Sequence, residues 1–480
     1  MYHPIIGIET HIQLNTITKL FCSCLNEFTP DNPNKNICPF CTGQPGALPI
    51  LNKAAVKKSI RFGTAVSATI PDKTRWDRKN YFYPDSPAGY QISQYDNPIV
   101  EGGKIHFYSE NKSNGQFEKH VVNLTRAHLE GDAGKLIHVG TKSLVDYNRS
   151  GCPLLEIVSE PELTTAEMAM GYVSELQLIA RRIGISDADM DKGQMRFDCN
   201  ISMRNEGEVE SNKLPSYKVE VKNINSVRAL GRAIESEIKR QTEILNSGET
   251  PVQETRGWRD DLNKSDSQRS KEDAMDYRYF PEPDLQILEI QSTDRLTLRD
   301  LPELPDTQRQ RYINAGLSIQ TANTFVSQDK VGDFFDTFNS SNNSKTLANI
   351  ISIQLIALSE KHEKPIQSLV SISNLESLVT VVDEKRINNQ GLQKALEILI
   401  IEPTKTTDEV LREHNLIQVS DTNILERIVD LVIQNNSIQV DQYKAGKTQV
   451  IGFLIGQCMK ESKGSGNPQV FSGILRDKLD

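Results

Sequence analysis

"GIETHIQL", residues 7–14, carries two unlike faces on one strand. Side chains alternate along a strand, so Ile8, Thr10, Ile12 and Leu14 share one face while Glu9, His11 and Gln13 share the other. A polar face on an antiparallel sheet is commonly just wet. The pattern recurs, however. In "MRFDCNISMR" (195–204), Phe197, Cys199, Ile201 and Met203 alternate with Arg196, Asp198, Asn200, Ser202 and Arg204. In "YKVEVKN" (217–223), Tyr217, Val219 and Val221 alternate with Lys218, Glu220 and Lys222. These two runs, joined by "NEGEVESNKLPS", read as a long-loop hairpin. Glu, His, Arg, Asp, Asn and Lys together suit a face that holds metal and phosphate better than one that merely meets water.

The chain has 480 residues, 37% hydrophobic and 25% charged, with a formal net charge of −9. Mean hydropathy is −0.46, and no run of apolar residues is long enough to span a bilayer. The overall acidity excludes a general basic nucleic-acid binder, so an anionic partner must meet a local basic patch. The opening "MYHPIIGIETH" has neither a basic start nor an apolar signal core, so the chain is expected to be unprocessed and cytoplasmic.

"FCSCLNEFTPDNPNKNICPFCTG" places Cys22 and Cys24 ahead of Cys38 and Cys41. Two thiol pairs around a polar loop have the spacing of a structural zinc site. Disulfides are the rival, and nothing in the sequence signals an oxidising compartment. Four thiolates leave no open position, so the metal would staple a loop too polar to make a core. Cys152, Cys199 and Cys458 read as apolar fillers.

Further clusters join the polar strands. "DRKNYFYPDSPAGYQISQY" (77–95) sets Arg78, Lys79 and four tyrosines among prolines, as binding loops do. "LTRAHLEGDAGKLIH" (124–138) puts Arg126, His128 and Glu130 on one face. Glu254, Arg256, Arg269, Lys271, Arg278 and Tyr279 follow in "QETRGWRDD" and "RSKEDAMDYRYFPEPDL". Carboxylates beside imidazoles suit Mg²⁺, and nearby Arg and Lys suit phosphate oxygens. The usual phosphate loop is missing: "YKAGKT" (443–448) has Asp441 where a glycine is needed, and "GDAGK" is too short. No nucleophile elbow is present.

Two helices are expected in the first part of the chain. Residues 165–183 have a Thr164/Glu167 capping pattern and Gly184 as stop; residues 226–246 have Gly248 just beyond. From about 295, after which comes the proline-marked "LPELPD", aromatics thin out and helical segments follow. Beyond 443, Lys444, Lys447, Lys460, Lys463, Arg476 and Lys478 outnumber Glu461, Asp477 and Asp480. That excess alone reads as a solvated face, or as phosphate contacts.

Taken in order, "GIETHIQL", the CxC…CxxC insert, "RKNYFYPDSPAGYQISQY", "RAHLEGDAGKLIH", "VDYNRSGCPLLEIVSEPE", "DKGQMRFDCNISMR", "EVKNINSVRALGRAIESEIKRQ" and "SKEDAMDYRYFPEPDL" resemble the GatB family of aspartyl/glutamyl-tRNA(Asn/Gln) amidotransferase components. The likeness runs from 1 to 480 and is closest before 290. It implies an α+β chain: a cradle of antiparallel strands over 1–294, similar to glutamine synthetase and bearing the zinc insert; a helical domain over 295–408; and a small helical tRNA-binding tail over 409–480. It implies ATP-dependent phosphorylation of the side-chain carboxylate of mischarged Glu-tRNA(Gln) or Asp-tRNA(Asn). Ammonia, released from glutamine by a partner amidase and channelled inward, then displaces phosphate, while a small third protein ties the heterotrimer together.

By motif match, Glu9 and His11 belong to the Mg²⁺ site, with Glu130 and Glu254 as further ligands. Lys79 falls near the ammonia entry, and Arg196, Asp198, Lys222 and Arg278 are expected at the phosphate and aminoacyl contacts. One departure stands out: the family commonly has a second acid after this glutamate, and here Gly131 occupies that place. Two rival readings are a non-catalytic zinc-stapled tRNA scaffold and a carboxylate–amine ligase that acts without RNA.

Overall fold

The computed structural model describes residues 2–27, 31–207, 214–270, 277–292, 300–338, 344–417, 422–462 and 466–479. They form two units, Met1–Gln308 and Arg309–Asp480.

The first unit is built on strands β1 (Tyr2–Gln13), β2 (Lys73–Thr74), β3 (Asp77–Asn80), β4 (Tyr90–Ser93), β5 (Val100–Glu101), β6 (Lys104–Asn111) and β7 (Gln116–Gly131). These are followed by β8 (Lys135–Val139), β9 (Lys142–Asp146), β10 (Pro153–Ser159), β11 (Met195–Asn205), β12 (Val219–Ile224), β13 (Glu254–Arg259) and β14 (Lys264–Ser270). The main sheet runs β14-β13-β12-β11-β1-β10-β7-β5, with β6 paired to the first half of β7. The strand that carries the Glu-x-His motif therefore lies between β10 and β11, inside the sheet rather than at an edge.

The one-sided alternation decides what covers each face. Ile6, Ile8, Thr10 and Ile12 of β1 are no more than 1% exposed and point into the core. Helices α1 (Lys53–Ala65), α2 (Ala166–Arg182) and α3 (Val227–Asn246) lay Ile60, Tyr172, Leu176, Leu230 and Ile234 into the same core. Thr165, not Thr164, caps α2 by accepting from the Met168 N–H, and Ser226 caps α3 by accepting from Ala229. Gly184, at φ +69°, follows the end of α2 as expected. Gly171 is needed for a different reason. A Cβ there would stand 2.7 Å from the Tyr108 carbonyl oxygen of β6, so only glycine lets α2 approach this closely.

The sheet departs from the expected antiparallel cradle at one pairing. β11 and β12 form the anticipated antiparallel hairpin, but β12 and β13 are parallel, joined by α3 as a crossover. Parallel neighbours need such a helical return, whereas a hairpin turn can join only antiparallel ones. The loop tip, 208–213, lies outside the described residues.

The second unit is helical. Helices Ile372–Asp383, Asn389–Ile401 and Thr407–Glu413 follow one another, and the first and third are linked at Asn374, whose Oδ1 accepts from the Thr407 N–H at 2.9 Å. Toward its end, Leu425, Val429, Leu454, Cys458, Phe471 and Leu475 form a separate buried cluster. The expected boundary at 408/409 falls inside helix Thr407–Glu413, which opens on a Thr406/Glu409 capping box and buries Val410 and Leu411. The expected boundary at 294/295 lies outside the described residues, as does Lys463 of the basic tail. Lys478 of that tail is ion-paired with Asp430 at 2.5 Å. No helix among the described residues is long and apolar enough to cross a membrane.

Candidate active site and metal centre

Strand register assembles the polar face. His11 of β1 sits opposite Arg196 of β11 on one side and Glu156 of β10 on the other, and Glu156 faces His128 of β7. Four side chains from four strands thus form one row. Glu156 Oε2 is 3.2 Å from His11 Nε2 and 3.3 Å from His128 Nε2. Glu130, two residues beyond His128 on the same face, brings Oε2 to 3.8 Å from His128 Nε2 and accepts from Ser93 Oγ at 2.9 Å. One row away, Glu9 faces Asp198, and its Oε1 accepts from Asn200 Nδ2 at 2.8 Å.

Cations ring these acids. Lys222 Nζ is 3.0 Å from Asp198 and 3.1 Å from Glu220. Arg196 reaches Asp132 at 3.1 Å, and buried Asp132 also pairs with Arg149. Lys79 of β3 lies 4.9 Å from the Tyr277 ring centroid. Glu9, His11, Lys79, Glu130, Glu156, Arg196, Asp198 and Lys222 all line one open cavity of about 530 Å³.

Protonation follows from burial and neighbours. Burial, then the charge of Glu156, pushes the Glu9 carboxyl above its ordinary value. Burial opposes the charged form of His128, yet Glu156 and Glu130 outweigh it and raise the imidazole to about 9. Burial acts likewise on His11, where Glu156 prevails and the pKa rises. Glu156 is held well below the carboxylate range against burial, by His128 first and then His11. Lys79 rises against its burial because Glu130 stands close.

His11, Glu130 and Glu156 each offer a ligand atom, and all three atoms lie within 4.8 Å of one another. Carboxylate oxygens with one imidazole are a donor set for a hard divalent cation, and Glu9 borders the same space. The residues present thus fit Mg²⁺.

Glu254 is not among them. It lies opposite Val219 on the parallel β12–β13 pair, whose side chain belongs to the core, so Glu254 is turned to the helix face. There it pairs with Arg256 at 2.6 Å and approaches Arg240 of α3 at 3.6 Å. Arg278 is exposed at φ +42° and does not line the cavity; its carbonyl accepts from Asn80 Nδ2 at 2.8 Å. The acid that sequence reasoning left unassigned is Glu156. Its signal was present, since a lone carboxylate interrupts the apolar run "LLEIVS" (154–159). Asp132 was also passed over. At Gly131, where a second acid was anticipated, the carbonyl accepts from Gln91 Nε2 at 2.8 Å.

The four early cysteines are a second cluster. Cys41 Sγ lies 3.5, 3.7 and 3.8 Å from the sulfurs of Cys22, Cys38 and Cys24, and none is disulfide-bonded. Four sulfurs about 2.3 Å from a tetrahedral Zn²⁺ stand roughly 3.8 Å apart, so the spacing fits a Cys₄ metal site.

Residues 4–295 match the family model described as the GatB/GatE catalytic domain, and residues 333–479 match the one described as the GatB domain. The Campylobacter hominis B subunit of aspartyl/glutamyl-tRNA(Asn/Gln) amidotransferase is 42% identical over 484 residues, covering 100% of both chains. The Crocosphaera subtropica protein of that name is 39% identical over 490 residues, covering 100% of this chain and 97% of its own. A Physcomitrium patens chloroplastic/mitochondrial B subunit of glutamyl-tRNA(Gln) amidotransferase is 42% identical over 489 residues, covering 100% and 86%. With both matched domains in order and full-length relatives near 40% identity, the chain belongs to the GatB family of aspartyl/glutamyl-tRNA(Asn/Gln) amidotransferase components.

Proposed function

We propose that the cavity on the polar face converts the side-chain carboxylate of an aminoacyl-tRNA into an amide in two steps at the expense of ATP. A carboxylate oxygen attacks the terminal phosphorus of ATP, and ADP leaves. Ammonia nitrogen then attacks the acyl carbon, inorganic phosphate leaves, and the nitrogen loses a proton. The observation that carries this reading is the convergence of His11, Glu130 and Glu156 in a cavity also lined by Lys79, Arg196 and Lys222.

Phosphoryl transfer needs positioning and charge neutralisation more than covalent help. Mg²⁺ held by His11, Glu130 and Glu156, with Glu9 alongside, would neutralise phosphate charge. Arg196 and Lys222 face the same space and suit phosphate and carboxylate oxygens. Lys79, kept charged by Glu130, neutralises rather than abstracts a proton. Glu9, with its raised pKa, is the better proton acceptor for the amination step. A second cavity of about 280 Å³ shares Gln91, Asp132 and Ala133 with the first, which suits a route for ammonia.

The proposed partners are a glutamine-hydrolysing amidase, which supplies ammonia, and a small third protein that completes a heterotrimer. Glu-tRNA(Gln) or Asp-tRNA(Asn) is the proposed substrate, with the helical unit bound to the tRNA body, in the cytoplasm or an organelle.

The test uses the assembled complex, mischarged tRNA, Mg²⁺ and labelled ATP. His11→Ala is expected to lower tRNA-dependent phosphate release on the order of 100-fold or more while tRNA binding is retained. Wild-type phosphate release in that variant would overturn the site and favour a tRNA-binding scaffold. Deletion of the tail from Thr422 is expected to remove activity on aminoacyl-tRNA; full activity without it would favour a ligase acting on free carboxylates.

A further inference from the structure

Lys19 is fully buried, and none of the chemistry above employs it. A buried ammonium is costly unless an opposite charge or good acceptors compensate it. Among the described residues, its partners are the Cys41 sulfur, 3.5 Å from Nζ, and the Tyr147 carbonyl oxygen at 3.1 Å. No carboxylate is among them. A thioether or neutral thiol would be a poor reason to bury this charge. Four thiolates around one divalent ion, by contrast, make a doubly negative complex in want of a cation.

We propose that Lys19 is an outer-sphere partner of the Cys₄ centre, donating to the Cys41 sulfur and offsetting half the net charge of the metal–thiolate complex. Its other bond fastens the centre to the segment 145–151. That segment is held to the cysteine-bearing loop at further points: the Asn34 N–H donates to Asp146 Oδ1 at 2.8 Å, and the Leu20 N–H donates to the Gly151 carbonyl at 2.8 Å. It also carries Arg149, the partner of Asp132 at the edge of the cavity. Lys19 is thus a positioning residue. It withdraws electron density from one sulfur, slows loss of the ion, and ties the metal loop to the strand connection beside the site.

The full-length chain, loaded with zinc, tests this through two readouts independent of catalysis. Lys19→Met removes charge and donor at similar bulk. It is expected to speed zinc release to a chelating dye on the order of 10–100-fold. In cobalt-substituted protein, the sulfur-to-cobalt charge-transfer band should move to lower energy, because the sulfur has lost its donor. Lys19→Arg should restore much of both. If Lys19→Met does not fold, Lys19→Leu, which likewise lacks charge and donor, carries the same two measurements. Wild-type release rates with an unmoved band in a folded neutral variant overturn the proposal, as does a wild-type chain that holds no metal at these cysteines.

Discussion

Nε2 of His11 and Oε2 of Glu156 lie 3.2 Å apart, paired directly across β1 and β10. Glu156 is therefore the acid that joins the Glu-x-His strand to His128 and Glu130 beyond it.

Glu156 and Glu254 are expected to behave oppositely. Glu156→Gln should reduce tRNA-dependent ATP turnover on the order of 100-fold and weaken Mg²⁺ binding, with unchanged tRNA affinity. Glu254→Gln should leave turnover within about twofold. It should instead cost roughly 1–3 kcal/mol of stability, because Arg256 and Arg240 lose a partner on the helix face. Steady-state kinetics beside urea denaturation separate the two, and a catalytic collapse in the Glu254 variant would refute the assignment.

The imidazole row makes metal-free stability depend on pH. His128 has a folded pKa of about 9 against an ordinary 6.5, so the folded state favours its charged form. That contribution is complete below pH 6.5 and disappears as pH rises through about 9. Chelator-treated protein should lose on the order of 2 kcal/mol across this window. Saturating Mg²⁺ should shrink the loss, because the cation replaces the proton, and Mg²⁺ affinity should rise with pH. Denaturation midpoints at pH 6.5 and 9, with and without Mg²⁺, check both signs.

Asp132 anchors two arginines from inside the protein. Burial alone would raise its pKa, but Arg196 and Arg149 hold it below the usual value. Its stabilising share is thus present above about pH 4 and lost as pH falls through the folded pKa. Asp132→Asn should cost roughly 3 kcal/mol, since both guanidinium groups lose their counter-charge. It should also raise KM for the aminoacyl-tRNA more than it lowers kcat, because Arg196 loses its tether. An unchanged KM would remove Arg196 from the substrate contacts.

Gly171→Ala tests the packing that carries the sheet. In an exposed helix interior this change stabilises by about 1 kcal/mol. In α2 the new methyl would meet the Tyr108 carbonyl oxygen at 2.7 Å, and backbone yields little. A net loss of roughly 1–3 kcal/mol is expected in thermal or urea unfolding. A gain in stability would show that α2 can move away from β6 without penalty.

Much of the site was readable locally. Period-two alternation put Glu9 with His11, Arg196 with Asp198, and His128 with Glu130, because the faces of a strand are set by parity alone. Helices α2 and α3 are legible from their stripes and stops, although the cap of α2 sits one residue later than its capping pattern suggests, whereas the helix Lys53–Ala65 is not among the expected elements. Glu156 was legible as a charge inside an apolar run, but only strand order says which histidines flank it. The boundary expected at 408/409 follows from the Pro/Thr-rich "IEPTKTTDE", within which Thr406 caps the helix Thr407–Glu413, a start that local composition does not separate from a linker.

The amino-acid sequence by itself determined the family, the two-faced strands, the cysteine spacing and the change to a helical second part. Those features live in short windows of chain, where side-chain periodicity and local hydrogen bonding act. Tertiary structure alone decided which acids meet. The crossover through α3 lays β13 parallel to β12 in a register that sets Glu254 beside core-facing Val219, and so on the helix face. Antiparallel register between β1, β10 and β7 sets Glu156 between His11 and His128. Pairing partners and crossover direction depend on how distant apolar faces pack together, so no single stretch of chain contains them.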